Sequence, residues 1–133
     1  MMAGLGDYPV GAVLRAEDLA RATKFYTEVL GLKPNAAGGP SGEGMFGAGD
    51  GTGVMIYERP GMPAPQNTTL GFGVPRERFD KVVAELRAKG VTFEEYHLPE
   101  IGLKTVDGSA EIGGVRLAWF KDSEGNIVNI GTM

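Results

Sequence analysis

The sequence predicts an α+β domain in which one unit, a strand, a helix and then several strands, is written twice. Three observations carry this reading. Two apolar stripes at helical spacing, Leu19-Ala22-Tyr26-Val29-Leu30 and Phe79-Val82-Val83-Leu86, each follow an alternating strand. The segments that close each half overlay at a constant shift of 74 residues, which sets Phe46 on Phe120, Gly51 on Gly125, Val54 on Val128, Met55 on Asn129 and Ile56 on Ile130. The strand-helix parts overlay at a shift of about 58, so that Gly11 meets Thr69 and Leu14 meets Phe72.

Each element has a local reason. The first strand is read over Pro9 to Ala16, with Val10, Ala12, Leu14 and Ala16 on one face. Asp18 stands where a side-chain oxygen caps the following helix, and Gly31 ends that helix as the residue that tolerates a left-handed backbone. A Gly/Pro-rich stretch leads to short strands near Gly44–Ala48 and Gly53–Glu58, joined by the turn Gly49-Asp50-Gly51. Pro60, Pro63 and Pro65 mark a linker. Thr68–Val74 then reads as a strand, the second helix ends at Gly90, and Phe93 and Tyr96 lie in an extended stretch. Val115–Lys121 and Asn126–Ile130 form a closing hairpin. The expectation is one domain over 1–133, with a first module at about 8–60, a linker at 61–67 and a second module at about 68–133.

Composition narrows the function. Thirteen Lys+Arg against 17 Asp+Glu give a net charge of −4, which argues against nucleic acid as a partner. The 42% hydrophobic content supports a packed core. No cysteine means no disulfide, no thiolate nucleophile and no zinc-thiolate site, and one histidine, His97, rules out a multi-histidine centre within the chain. No apolar run approaches membrane-spanning length, and the start at Met1 to Asp7 lacks a basic, hydrophobic export signal. A cytoplasmic protein without membrane contact is expected. Glycine is the outlier at 22 residues, clustered over 38–53 and 102–114. Strand turns explain it better than a phosphate loop, because Gly47-Ala48-Gly49-Asp50-Gly51 lacks a Lys-Ser/Thr and a following helix.

Val13-Leu14-Arg15-Ala16-Glu17-Asp18-Leu19, running on through Phe25-Tyr26-Thr27-Glu28-Val29-Leu30-Gly31-Leu32, resembles the opening of the vicinal oxygen chelate superfamily. This superfamily includes glyoxalase I, extradiol dioxygenases, fosfomycin-resistance transferases and bleomycin-binding proteins. Phe120-Lys121-Asp122-Ser123-Glu124-Gly125-Asn126 is similar to its closing hairpin. The resemblance implies two βαβββ modules whose curved mixed sheets form an open cup, completed in a homodimer. It also implies four places for metal ligands, which fall on Gly11, Met55, Thr69 and Asn129. The family uses histidine, glutamate or glutamine there, because a divalent ion needs imidazole nitrogen or carboxylate oxygen. None of these four residues supplies either, so no metal and no cofactor are expected.

Strand alternation then assigns the cup's lining. Val13 and Arg15 share the face of Gly11, Gly53 and Tyr57 that of Met55, and Gly71 and Gly73 that of Thr69. Leu117, Trp119, Lys121 and Ile127 share the face of Asn129, and Met45 follows by the internal repeat. The candidate ligand-binding residues are Arg15, Met45, Met55, Tyr57, Thr69, Leu117, Trp119 and Asn129. This surface is mostly apolar and suits a hydrophobic or aromatic compound, with Arg15, Thr69 and Asn129 orienting it. Packing of a core or a dimer interface is the competing explanation, and the stronger one for Leu117 and Ile127.

The connection from about Phe93 to Gly114 is long enough to act as a lid, and in the superfamily it also supplies a strand of the second module. It carries His97, which together with Tyr57 is a candidate for proton transfer. Glu94-Glu95 and the basic face of the second helix, including Arg76 and Arg87, read as solvated surface. The leading functional reading is a bleomycin-resistance-like binder that sequesters or acts on a hydrophobic or aromatic compound without a metal. The alternatives are a metal-independent isomerase, cyclase or lyase, then a metal-dependent lyase or dioxygenase, and last a purely structural dimer module.

Overall fold

The computed structural model describes residues 4–133; Met1 to Ala3, part of the segment read for an export signal, lie outside the described residues. The first module comprises β1 (Ala12–Ala16), α1 (Leu19–Lys24), β2 (Lys33–Pro34), β3 (Gly44–Gly47) and β4 (Gly53–Glu58). The second comprises β5 (Thr68–Val74), α2 (Phe79–Ala88), β8 (Ala110–Ile112), β9 (Val115–Lys121) and β10 (Ile127–Thr132), with a separate pair β6 (His97–Leu98) and β7 (Leu103–Lys104) inserted after α2. The sheets run β1-β4-β3-β2 and β5-β10-β9-β8, so the topology is repeated strand for strand. In each, the first and last strands are parallel and the rest antiparallel.

The register repeats as well. Met55 lies beside Val13 on one side and Met45 on the other; Asn129 lies in the same way beside Gly71 and Trp119. These pairs preserve the shift of 74 between the closing strands.

Local chemistry accounts for most boundaries. The Asp18 carboxylate accepts from the Arg21 amide at 3.1 Å and caps α1. Beyond Lys24 the helix loosens into a π turn over Phe25–Val29, closed by the Leu30 amide on the Phe25 carbonyl. Thr23 and Thr27 bond their hydroxyls back to the carbonyls of Leu19 and Thr23, a habit that bends helices. Gly31 follows at φ 77°.

Three strand expectations are corrected and one unexpected strand is added. β1 starts at Ala12 rather than Pro9, because its ladder with β4 begins at Ala12 opposite Val54, leaving Val10 97% exposed. Gly11 is therefore outside the strand. β2 is a two-residue edge strand missed by alternation; Pro34 is tolerated there because the outer edge needs no amide donor. The strand read at Gly44–Ala48 stops at Gly47, and the closing strand runs Ile127–Thr132 rather than Asn126–Ile130, since Asn126 belongs to the turn.

The helix-covered faces of both sheets pack inward. One buried cluster is built on Leu14, Tyr26, Phe46, Val54 and Ile56, the other on Phe79, Phe93, Phe120, Val128 and Ile130. Phe25, Leu30, Leu70 and Phe72 pack against both, which fuses the modules into one interior. Among the described residues, no helix is long and apolar enough to cross a membrane.

Candidate functional site

The faces turned away from this interior carry the candidate residues. On the first sheet, Val13, Met45 and Met55 form three adjacent positions across β1, β4 and β3. They line an open hollow of about 820 Å³ together with Pro9, Val10, Gly11 and Pro34, and its polar rim is Lys33, Asn35, Asp50 and Thr52. Asp50 holds a positive φ of 55° between Gly49 and Gly51 at this rim.

Further along the same face, Arg15 stands beside Tyr57. Arg15 is only 7% exposed and is engaged by the closing turn. Its Nη1 donates to the Glu124 carbonyl at 2.8 Å and to Asn126 Oδ1 at 3.2 Å, while its Nε has no partner among the described residues. Asn126 Nδ2 returns a bond to the Arg15 carbonyl at 2.9 Å and another to Asp122 Oδ2, which also accepts from the Tyr26 hydroxyl at 2.7 Å. Burial and the Asp122 carboxylate push the Tyr26 phenol far above its ordinary pKa. Beside this network, the Glu124 carboxylate accepts from Arg21 at 2.8 and 3.0 Å, from the Asp18 amide and from Ser123. Burial alone would raise its pKa, but those bonds and the Arg21 charge hold it at about 2. The Arg15 guanidinium, read from the sequence as a ligand-orienting group, joins β1 to the turn before β10.

On the second sheet, Leu117, Trp119, Thr69 and Asn129 lie on one face. The pairing of Thr68 with Ile127 and of Leu70 with Val128 leaves Thr69 as the extra residue of a bulge. Its hydroxyl donates to the Ile127 carbonyl at 3.1 Å. Asn129 lays its carboxamide over Gly71, with Oδ1 only 2.5 Å from where a Cβ would stand, so the glycine makes room for it. Leu117 packs over Gly131 in a similar way. Trp119 donates its indole N–H to the Thr68 hydroxyl at 3.2 Å.

The connection after α2 folds over this second face. Phe93 bridges to Phe120, the Glu94 amide donates to the Trp119 carbonyl at 2.8 Å, and Tyr96 meets Trp119 edge to face at 5.6 Å. Tyr96, Leu98, Leu103, Trp119 and Ile127 line a hollow of about 250 Å³. Gln66, Tyr96 and Ile127 continue into a second hollow of about 430 Å³, whose wall includes Glu94 and Lys121. Burial, and after it the Glu94 carboxylate, raises the Tyr96 pKa.

Glu94, Glu95, Arg76 and Arg87 are thus not merely solvated, as their charge suggested. Glu94 lies 3.8 Å from Lys121, Glu95 accepts from the Gly108 amide, Arg76 pairs with Glu111, and Arg87 packs on Phe93 while bonding the Asp107 carbonyl. Tyr96 as an aromatic wall was missed; its only sequence signal was an aromatic residue in an extended stretch.

Met55 and Trp119 line different hollows within one chain. His97 sits exposed on β6 opposite Lys104, and Tyr57 is half-buried on β4 beside Arg59. No hydrogen bond joins His97 to Tyr57 among the described residues, and they lie in different sheets. Of the four places where a metal would be held, Gly11 has left the strand, Met55 offers a thioether, Thr69 is bonded to backbone and Asn129 is a neutral amide. That donor set does not fit a divalent ion. Among the described residues, no group of three or more His, Asp or Glu is arranged to hold one.

The family model described as Glyoxalase/Bleomycin resistance protein/Dioxygenase superfamily matches residues 10–130. No curated protein matches the sequence. Among solved structures, a glyoxalase/dioxygenase from Nostoc punctiforme superposes with a TM-score of 0.69 at 19% identity, over 99% of this chain and 95% of that one. A genomically encoded fosfomycin resistance protein, FosX, from Listeria monocytogenes gives a TM-score of 0.65 at 19% identity, over 100% and 93%. An integron cassette protein from the mobile metagenome of the Halifax Harbour sewage outfall gives 0.68 at 18%, over 92% and 96%. At such identities the likeness speaks to the fold.

Proposed function

The chain belongs to the Glyoxalase/Bleomycin resistance protein/Dioxygenase superfamily, and from that premise we propose that it binds a hydrophobic or aromatic small molecule on its outer sheet faces without a metal ion. The observation that carries this reading is the hollow of about 820 Å³ floored by Val13, Met45 and Met55. Its volume lies in the range of small-molecule sites, and its soft, flexible methionines adapt to varied apolar shapes. Metal-free binding is supported by the donor set at Gly11, Met55, Thr69 and Asn129. Sequestration is the role we propose: His97 is not among the residues that line these hollows, and among the described residues no hydrogen bond joins the Tyr57 hydroxyl to an acid or base.

We further propose that two copies complete the cup. Support comes from apolar side chains that stand open in the single chain: Val10 and the 54%-exposed Val13, which line the first hollow, and Tyr8 just before them in sequence. Sedimentation should show a dimer that Val13→Asp weakens; an unaltered monomer in both proteins removes this part.

The binding reading is tested with methyl-labelled methionine and 2-naphthol as the probe. Saturable shifts of the Met45 and Met55 methyl resonances, unchanged by a chelator, are expected. If no apolar compound moves these signals, binding at this face is wrong. If the shifts need an added divalent ion, the metal-free part is wrong.

A further inference from the structure

The second sheet's outer face differs in chemistry from the first. Its smaller hollow is walled by two aromatic rings, Trp119 and Tyr96, set at 79° with centroids 5.6 Å apart, and Tyr96 is shared with the adjoining hollow that Glu94 and Lys121 line. The corner is held in place before any ligand arrives. Tyr96 is fixed through its own backbone: its amide donates to the buried Thr105 hydroxyl at 2.7 Å, and its carbonyl accepts from the Thr105 amide at 2.9 Å. The indole is fixed by its bond to Thr68.

Charge at the end of this groove is unevenly held. Glu94 is anchored by its backbone bond to the Trp119 carbonyl, and its side chain is 30% exposed. Its one salt-bridge partner among the described residues, Lys121, lies 3.8 Å away with a side chain 56% exposed. That separation is beyond hydrogen-bond length, so the lysine is a loose and replaceable counter-ion. Aromatic faces present negative charge density, and a carboxylate on a residue whose backbone is held at this strand edge adds a full negative charge.

We infer that the Trp119–Tyr96 corner with Glu94 is a site for an organic cation, an ammonium or guanidinium group on an apolar or aromatic body, which displaces Lys121 from Glu94. The inference rests on the reading that the outer faces take small molecules, and it adds the charge one of them must carry. A cation against this corner gains from the rings' π density and from the Glu94 charge, whereas a free anion meets that same charge as repulsion.

The test uses three probes of similar size: benzyltrimethylammonium, benzyl alcohol and phenylacetate. Trp119 is the single tryptophan, so its indole N–H gives one isolated resonance to titrate. The cation should bind about threefold or more tighter than the alcohol, and phenylacetate weakest. Glu94→Gln should abolish that preference, Tyr96→Leu should weaken the cation about threefold, and Lys121→Gln should strengthen it. Equal affinity for cation and alcohol would overturn the inference and leave small-molecule binding at this face standing. Tightest binding of phenylacetate, lost in Lys121→Gln, would overturn it in favour of an anion site. No shift of the indole signal with any probe would remove both the inference and ligand binding at this face.

Discussion

Asn126 and Arg15 clasp one another across the module boundary. The carboxamide nitrogen donates to the arginine's carbonyl at 2.9 Å, and the guanidinium donates back to the carboxamide oxygen at 3.2 Å. They stand 111 positions apart, so the turn that precedes the last strand fixes the first strand. Both are buried, and removal of either leaves the other's polar atoms without water. Asn126→Ala and Arg15→Ala should each lose about 3 kcal/mol in urea unfolding, with a coupling of about 1 kcal/mol in the double variant. If Arg15→Ala folds with wild-type stability and fails only in ligand binding, the arginine serves the ligand and the clasp is not its role.

A second tie at the same turn gives a pH signature. Glu124 is held at about 2, below its ordinary 4.5, by Arg21, Ser123 and the Asp18 amide. A carboxylate depressed in the folded state stabilises above its unfolded pKa, and that contribution fades as pH falls from 4.5 towards 2. Arg21 is half exposed, so screening trims the effect to about 1–2 kcal/mol. Glu124→Gln should lose that much at pH 7 and flatten the decline in stability between pH 4.5 and 2. An acid limb unchanged by the substitution would show that other groups set it.

The duplicated topology was legible in the sequence because both physical periods are clean. Helical stripes at 19–30 and 79–86 sit inside alternating strands, and the shift of 74 survives as the Met45–Met55 and Trp119–Asn129 pairs. The outward face of each sheet was also legible, since alternation fixes it once one residue is placed. What did not show was anything decided by a distant partner. Residues 9–11 alternate like a strand, yet β4 offers them no ladder. Arg15 sits on the outer face by alternation, yet the hairpin turn encloses it. Tyr96 and Glu94 come from a connection whose path over Trp119 is set by Thr105 and by the Trp119 carbonyl, neither of which carries a local signal.

Two glycines on the outer faces should respond differently to a methyl group. At Gly53 a Cβ would stand 2.9 Å from the Phe46 carbonyl oxygen, a backbone atom held in the β3–β4 ladder. At Gly71 the obstruction is the far end of the Asn129 side chain, which can rotate away. Gly53→Ala should therefore cost about 1–3 kcal/mol, and Gly71→Ala less than about 1 kcal/mol while moving the Asn129 amide resonance. Equal losses in thermal unfolding would mean that Asn129 is locked in place by contacts of its own.

Met55 gives the most direct test of the first hollow. It is half-buried at the middle of the floor, flanked by Val13 and Met45 on the neighbouring strands. A larger side chain there projects into open space, away from the packed interior of Leu14, Val54 and Ile56 on the opposite face. Met55→Trp should fill the floor and weaken 2-naphthol binding about tenfold, with stability within about 1.5 kcal/mol of the parent. Met55→Leu keeps the volume and should keep most of the affinity. The contrast separates occupancy from unfolding, because both variants place an apolar side chain on the same outward position. Undiminished binding by the tryptophan variant would mean that the ligand lies elsewhere than above β3 and β4.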